Sequence, residues 1–370
     1  MTFRLSALAA CFAIIATSAC AQQEMEFIAF DGVNYEVPVD RVEVRDFMGR
    51  SALYLNRSFA NSVDVQLEEG VIEFDFASAH QSGFVGVSFH DHDVIGEQFY
   101  VRFHNTGLPD ATQYTPVLGG LAGWQIYTGP NFAVATDVPA EYWNHVRIVI
   151  EGDRADIFFN DMDTPLIHVP DLLSNVGGGG VALYASDRPG MDTGAYFSNI
   201  VVRPLESGEG VIGVAAEEAE LPSGLVTEWS VSEPFSEDLL IGYASLAHMD
   251  LEELTWAALD VERNGIANLG RLAGPTPEAQ TVFARMTLSA EEAELRLVRF
   301  GYSDRVRVYL NGELLFLANS RWRSRDHRFL GTIGWEDQIA AHLRAGDNEL
   351  IFAVSEAFGG WGVTAAVVED

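Results

Sequence analysis

The sequence predicts an all-β protein of two β-sandwich (jelly-roll) domains in tandem behind a signal peptide, on three observations. Short segments alternate apolar and polar residues at the period of a half-buried strand, as in Gly70-Val71-Ile72-Glu73-Phe74-Asp75-Phe76. Turn residues separate them at short intervals: Gly107-Leu108-Pro109-Asp110, Gly119-Gly120, Gly152-Asp153 and Gly177 to Gly180. Helical periodicity is scarce. Many short strands with dense turn chemistry are the pattern of antiparallel sandwiches.

The chain starts with a short positive stretch, Met1 to Arg4, followed by an uncharged apolar run, Leu5 to Ala16. Small residues come next, Thr17-Ser18-Ala19-Cys20-Ala21, and then Gln22-Gln23. Residues 1–21 therefore read as a secretory signal peptide. Ala19 and Ala21 form an Ala-x-Ala site that leaves Gln22 first. The alternative is a loose lipobox, Ser18-Ala19-Cys20, with Cys20 lipidated. Thr17 stands where that motif prefers Leu, which favours the first cut. The expectation is export to the periplasm or beyond, or, in the alternative, an outer-membrane lipoprotein.

Cys11 and Cys20 are the two cysteines of the chain, and both lie in the leader. The domains thus have no disulfide, thiol nucleophile or thiolate metal site, and burial alone must hold them. At 370 residues the chain is long enough for two cores. No second apolar run reaches the ~18 residues of a spanning helix. The formal charge is −32, from 54 acidic and 22 basic residues, and every basic residue is Arg. Such a chain repels nucleic acid and anionic lipid, so a membrane partner is expected only through a lipid anchor. Lysine-based catalysis is excluded.

Strand patterning runs from about Glu26 to Pro204, with further alternation in Phe99 to Phe103, His145 to Ile150 and Ala155 to Phe159. This assigns 24–205 to a first domain. Residues 206–224 are small, acidic and poor in aromatics, as an exposed linker is, with room for a short helix at the acidic centre. Residues 225–370 form the second domain. Its clearest element is a hairpin, Arg305 to Leu310 and Glu313 to Phe316 around Asn311-Gly312, where a type I′ turn needs positive φ at both positions. A late strand, Asn348 to Val354, follows the turn Arg344 to Asp347.

The first domain resembles the concanavalin A-like sandwiches of the laminin-G or glucanase kind. The resemblance is carried by Gly70 to Phe76, Gly83-Phe84-Val85-Gly86-Val87-Ser88-Phe89 and the closing Ala195 to Ile200. Between them, Trp143-Asn144-His145-Val146-Arg147 and Gly152-Asp153-Arg154-Ala155-Asp156 match a back-sheet hairpin. The second domain is similar to the galactose-binding-like jelly rolls appended to bacterial glycosidases and esterases. Gly301-Tyr302-Ser303-Asp304, Leu310-Asn311-Gly312 and Gly346-Asp347-Asn348-Glu349-Leu350 carry that likeness. The first resemblance implies a glycan partner on a concave sheet; function itself must be argued from a site.

The most informative stretch is Phe99 to Tyr127. In Tyr100-x-Arg102-x-His104, alternate residues share one strand face and present a phenol, a guanidinium and an imidazole. Asp110, Gln113, Tyr114, Trp124, Gln125 and Tyr127 add rings, amides and a carboxylate. A sugar packs its C–H face on a ring while its hydroxyls pair with planar polar groups, so these nine residues are a candidate carbohydrate site. The competing reading is a buried polar network beneath a long loop.

No catalytic residue is assigned. Laminarinase-like members of the resembled fold carry Glu-x-Asp-x-x-Glu. Here Glu73-Phe74-Asp75 matches the start, but Ser78 stands where the acid is required. Glu73 and Asp75 then read as solvent-facing alternation. A pair drawn from Asp91, Asp93, Glu97 and Asp110 stays open. The densest metal-ligand cluster is His90-Asp91-His92-Asp93, suited to zinc by ligand type or to calcium with Glu97, though such a turn is usually a solvated loop. No cofactor is expected beyond that calcium alternative. In the second domain, Trp322, Arg323, Arg325, Asp326 and His327 with Phe358 and Trp361 offer either a second platform or core closure. The sequence thus points to an exported glycan-binding or polysaccharide-handling protein. A glycoside hydrolase or lyase with an unfamiliar carboxylate pair is the alternative, and a structural or protein-interaction module is the third reading.

Overall fold

The computed structural model describes residues 23–186 and 194–368. The segment read as a signal peptide, with its expected cleavage site and Cys20, lies outside the described residues. The described chain is all-β, its helical content limited to the 3₁₀ turns Phe103–Asn105, Glu237–Leu240 and Leu269–Arg271. It divides into two compact units. Residues 23–117 and 127–216 form the first; 118–126 and 217–368 form the second.

In the first unit one sheet runs, in order, Ile167–Val169, Arg154–Phe159, Asn144–Glu151, Gly70–Ala77, Ala195–Arg203, Arg50–Leu55 and Val42–Phe47. The other runs Met25–Phe30, Val33–Pro38, Ser58–Ser62, Gly180–Ser186, Phe84–Asp91, Gly96–Arg102 and Thr112–Leu118. All the strand pairs that bear on the site are antiparallel. Alternation puts Ile72, Phe74 and Phe76 of one sheet against Val87, Phe89 and Phe99 of the other in a single apolar core. Glu73 and Asp75 face away from it.

The stretch read as an exposed linker divides between the units and forms no helix. Residues up to Ala216 are strapped to the first. Asp156, fully buried on the strand Arg154–Phe159, accepts hydrogen bonds from Ile212 N (2.6 Å), Gly213 N (2.8 Å) and His168 Nδ1 (2.7 Å). Ala216 N donates to Asn131 Oδ1, and Arg203 holds Glu209 through two bonds. Composition registered the small, acidic character of this segment but not the donors its backbone offers to a distant carboxylate.

The second unit packs the sheet Trp256–Asp260, Glu228–Ser232, Thr281–Ala290, Gly346–Ser355, Arg305–Leu310, Glu313–Asn319 on a smaller one, Ala267–Asn268, Gly362–Val367, Glu294–Ser303, Asp337–Leu343. Trp229, Phe300, Phe352 and Trp361 fill its core. Trp361 is therefore packing, its indole N–H donating to Val354 O. Asn311 and Gly312 both have positive φ, 52° and 85°, as the hairpin turn requires.

Candidate functional site

Of the nine residues proposed as a carbohydrate site, seven lie in the first unit and two, Trp124 and Gln125, in the second. Tyr100, Arg102, His104 and Asp110 stay together: the Arg102 guanidinium lies 4.8 Å over the Tyr100 ring, donating to Tyr100 Oη (3.0 Å) and Asp110 O (2.7 Å). Both residues are buried. The His104 ring meets Phe84 edge-on at 4.9 Å. Gln113 spends its amide on the carbonyls of Tyr114 and Tyr127, each at 2.8 Å. Tyr114 points to the opposite side of the strand, because successive residues alternate, and donates to Glu97 Oε2 at 2.7 Å. Tyr127 is buried. Trp124 and Gln125 belong to the second unit, where Gln125 is buried. The buried polar network describes most of this set.

The metal-ligand turn is also tied into the fold. His90 is buried, with Nε2 3.0 Å from Glu68 O, and His92 Nε2 is 2.6 Å from Gly178 O. Glu97 accepts from Tyr114 and from Ser174 N. Among the described residues, no group of three or more His, Cys, Asp or Glu is arranged to hold a metal.

A different cluster emerges on the outer face of the first unit's other sheet. Register sets His145 opposite Asp75 and Ser198 opposite Asp75 on its other side. His145 bridges two carboxylates, Nδ1 to Asp75 Oδ1 at 2.6 Å and Nε2 to Glu73 Oε1 at 2.9 Å. The register shift between Ser198 and Val201 marks a bulge, with Asn199 at φ 55°, and brings the Asn199 amide to Asp75 Oδ2 at 2.5 Å. Arg50, just past the tight turn Met48-Gly49, also binds Asp75 Oδ2.

Rings flank these charges. Arg50 lies 4.8 Å over Trp143, Phe47 meets Trp143 edge-on at 6.1 Å, and Phe47 stacks on Tyr196 at 3.8 Å and 5°. The Trp143 Nε1 donor is buried with no hydrogen-bond partner. Arg50, His145 and Glu73 keep 40%, 29% and 30% of their side-chain surface open to solvent. Planar donors and acceptors thus stand beside aromatic surface on a rigid sheet, the combination a glycan needs.

Burial pushes Asp75 up, but hydrogen bonds from His145, Asn199 and Arg50 outweigh it and hold the carboxyl below the usual range. The hydrogen bond to Asp75 raises His145 above the ordinary histidine value, with the Asp75 and Glu73 charges adding to it. The sign of the pH effect follows. The His145 contribution is complete below its unfolded value, about 6.5, and is lost as pH rises through the raised folded value. The Asp75 contribution is present above about 3.9 and is lost as pH falls through the lowered one. The melting-temperature difference between the wild type and His145→Gln should be largest between about pH 4 and 6.5 and shrink by pH 9. A difference constant across that range would mean the imidazolium plays no ionic part.

Arg50, Asn199 and Trp143 escaped the sequence reading because they come from three separate elements. The available signal was His145 at the polar phase of its strand, matching Glu73 and Asp75 at the polar phase of theirs.

In the second unit a hollow of about 490 Å³ is lined by Leu251, Glu252, Trp256, Arg285 and Glu349. Arg285 covers the Trp256 ring at 3.7 Å. Trp322 is exposed beneath Arg323, which lies 4.3 Å over its ring.

An all-β protein of two compact units, the first bearing an aromatic and charged patch on a sheet face, is the class this architecture defines. No family model matches the chain, and a comparison with curated proteins finds no match. Among solved structures, it is similar to the carbohydrate binding module CBM66 from Bacillus subtilis, at 18% identity, 43% of this chain, 90% of that chain and a TM-score of 0.30. It is also similar to a protein of unknown function with a galectin-like fold from Bacillus subtilis, at 11% identity, 49% of this chain, 88% of that chain and a TM-score of 0.30. A third is exo-beta-1,3-galactanase from Phanerochaete chrysosporium, at 12% identity, 90% of this chain, 69% of that chain and a TM-score of 0.21. At such scores the likeness assigns no function.

Proposed function

We propose that this is an exported carbohydrate-binding protein, and that its first unit takes a glycan on the face formed by Trp143, Phe47, Arg50, His145 and Glu73. The supporting observation is aromatic surface beside paired, partly open planar polar groups. The proposal of export, to the periplasm or beyond, rests on reading residues 1–21 as a signal peptide, with Cys20 lipidation as the alternative route to an outer-membrane surface.

Binding is favoured over hydrolysis by the chemistry of the same cluster. A glycosidase needs one carboxyl held protonated as the acid. Here the two nitrogens of the His145 ring serve the Glu73 and Asp75 carboxyl groups, and hydrogen bonds from His145, Asn199 and Arg50 drive Asp75 towards its ionised form.

Trp143→Ala and Arg50→Ala should each weaken glycan affinity about 5- to 150-fold, or ~1–3 kcal/mol, from lost ring area and a lost charge-assisted hydrogen bond. His104→Ala, in the 3₁₀ turn that follows the strand Gly96–Arg102 of the opposite sheet and not on the strand face the alternation implied, should leave affinity unchanged. Affinity and melting temperature are measured on the same proteins, after a broad glycan array has identified the wild-type ligand. An array without any wild-type signal would sink the reading and favour a protein-interaction module. Release of reducing sugar would favour the hydrolase.

A further inference from the structure

We propose that the second unit holds a hard cation, calcium by its ligand chemistry, against the buried carboxylates of Asp304 and Glu356. Asp304 follows the strand Glu294–Ser303, and Glu356 follows Gly346–Ser355. The bond from Asp304 N to Ser355 O (3.0 Å) sets these strand ends side by side. Asp304 is 1% exposed and Glu356 is 2% exposed.

Their acceptors are unevenly served. Asp304 Oδ2 takes two backbone donors, Ala357 N and Phe358 N, each at 3.0 Å. Asp304 Oδ1 has only longer contacts, with Ser303 Oγ at 3.2 Å and Gln125 Nε2 at 3.4 Å. Both carboxyl oxygens of Glu356 are buried without a well-formed hydrogen bond, since the neighbouring amides of Ala357 and Phe358 are directed to Asp304 Oδ2. Gln280 stands across from Glu356, one step beyond the pair Thr281 and Ser355, with Glu356 N donating to Gln280 O at 2.9 Å. Its Oε1 is a further buried acceptor without a donor.

The neighbouring cation does not resolve this. Arg305 is engaged by Glu237, with bonds of 3.0 Å from Nε and 2.7 Å from a terminal nitrogen to Oε2. Asp304, Glu356 and Glu237 thus face one guanidinium, an excess of two negative charges if all are ionised. A buried carboxylate without a partner costs several kcal/mol, so something must neutralise it.

Oxygen donors alone, with no imidazole or thiolate, select a hard cation over zinc or copper. A carboxylate without a well-formed hydrogen bond at either oxygen suits calcium, which accepts bidentate carboxylates and carbonyl oxygens in an irregular shell. Magnesium demands octahedral geometry and retains water. The rival occupant is a proton: burial, and then the Asp304 charge, push Glu356 well above the usual carboxyl range.

The full chain, freed of metal by chelator and exchanged into metal-free buffer, is titrated with calcium chloride and separately with magnesium chloride. Melting temperature and calorimetric heat are both read. At a hundredfold excess over Kd, calcium should raise melting of the second unit by about 5–10 °C, with magnesium weaker. The isosteric Glu356→Gln should abolish the calcium response, while Asp91→Asn in the first unit should leave it intact. A wild type indifferent to calcium, together with a Glu356→Gln variant as stable or more so, would overturn the proposal in favour of the proton. An unchanged calcium response in Glu356→Gln would overturn it by placing the ion elsewhere. If circular dichroism finds Glu356→Gln unfolded, Gln280→Ala carries the test, with calcium affinity expected to fall about tenfold and an unchanged affinity counting against the site.

Discussion

Asp156→Ala is expected to cost the first unit about 3–5 kcal/mol. The carboxylate is fully buried and takes three donors, two of them the successive backbone amides of Ile212 and Gly213. Alanine leaves those amides and His168 Nδ1 facing an apolar methyl, and each stranded buried donor costs about 1–3 kcal/mol. Gly213 must approach closely, since a Cβ there would run into Asp156 and His168. Urea unfolding should show the midpoint fall without a change in slope. Hydrogen exchange at Ile212 and Gly213 should accelerate before global unfolding. A loss below about 1 kcal/mol would mean the strap at 209–216 contributes little, and that water replaces Asp156 as the acceptor.

Gln125→Ala should cost the second unit about 3–4 kcal/mol. Its amide donates to Gly331 O at 2.8 Å, and its carbonyl accepts from Ser303 Oγ at 2.9 Å and Gly360 N at 3.1 Å. Gly331 and Gly359 have positive φ, and a Cβ at either would meet the Gln125 side chain, so the backbone is shaped around this amide. Truncation leaves a cavity and strands Gly331 O and Gly360 N, while Ser303 Oγ keeps Asp304 Oδ1 as an acceptor. The sugar-donor reading of Gln125 makes the opposite forecast, unchanged melting and weaker glycan binding. Measuring both on one variant separates the two, and unchanged stability would return Gln125 to the surface role.

Strand content and location were legible because alternation is local. A half-buried strand writes its two faces into successive residues, and Gly70–Ala77, Asn144–Glu151 and the Asn311-Gly312 hairpin follow that rule. The patch on the first sheet was half legible. Glu73 and Asp75 announced an outward face, but the partners of Asp75 come from residues 50, 145 and 199, separations of 25, 70 and 124 along the chain. Only strand order and register bring them together. The Phe99 to Tyr127 stretch misled for a related reason. Its residues are close in sequence, yet alternation turns Tyr114 inward while Gln113 stays on the other face.

By itself, then, the sequence determined what neighbouring residues encode: an all-β chain, its hairpin turns, an acidic surface built with arginine alone, and domains that lack cysteine. The tertiary structure decided which polar groups are buried and which meet. It placed residues 118–126 with the second unit, bound 209–216 to the first, and left the Glu356 carboxyl enclosed without a well-formed hydrogen bond. The physical reason is that hydrophobic periodicity is a property of one strand, whereas hydrogen-bond satisfaction is a property of the closed interior, shared among segments far apart in the chain.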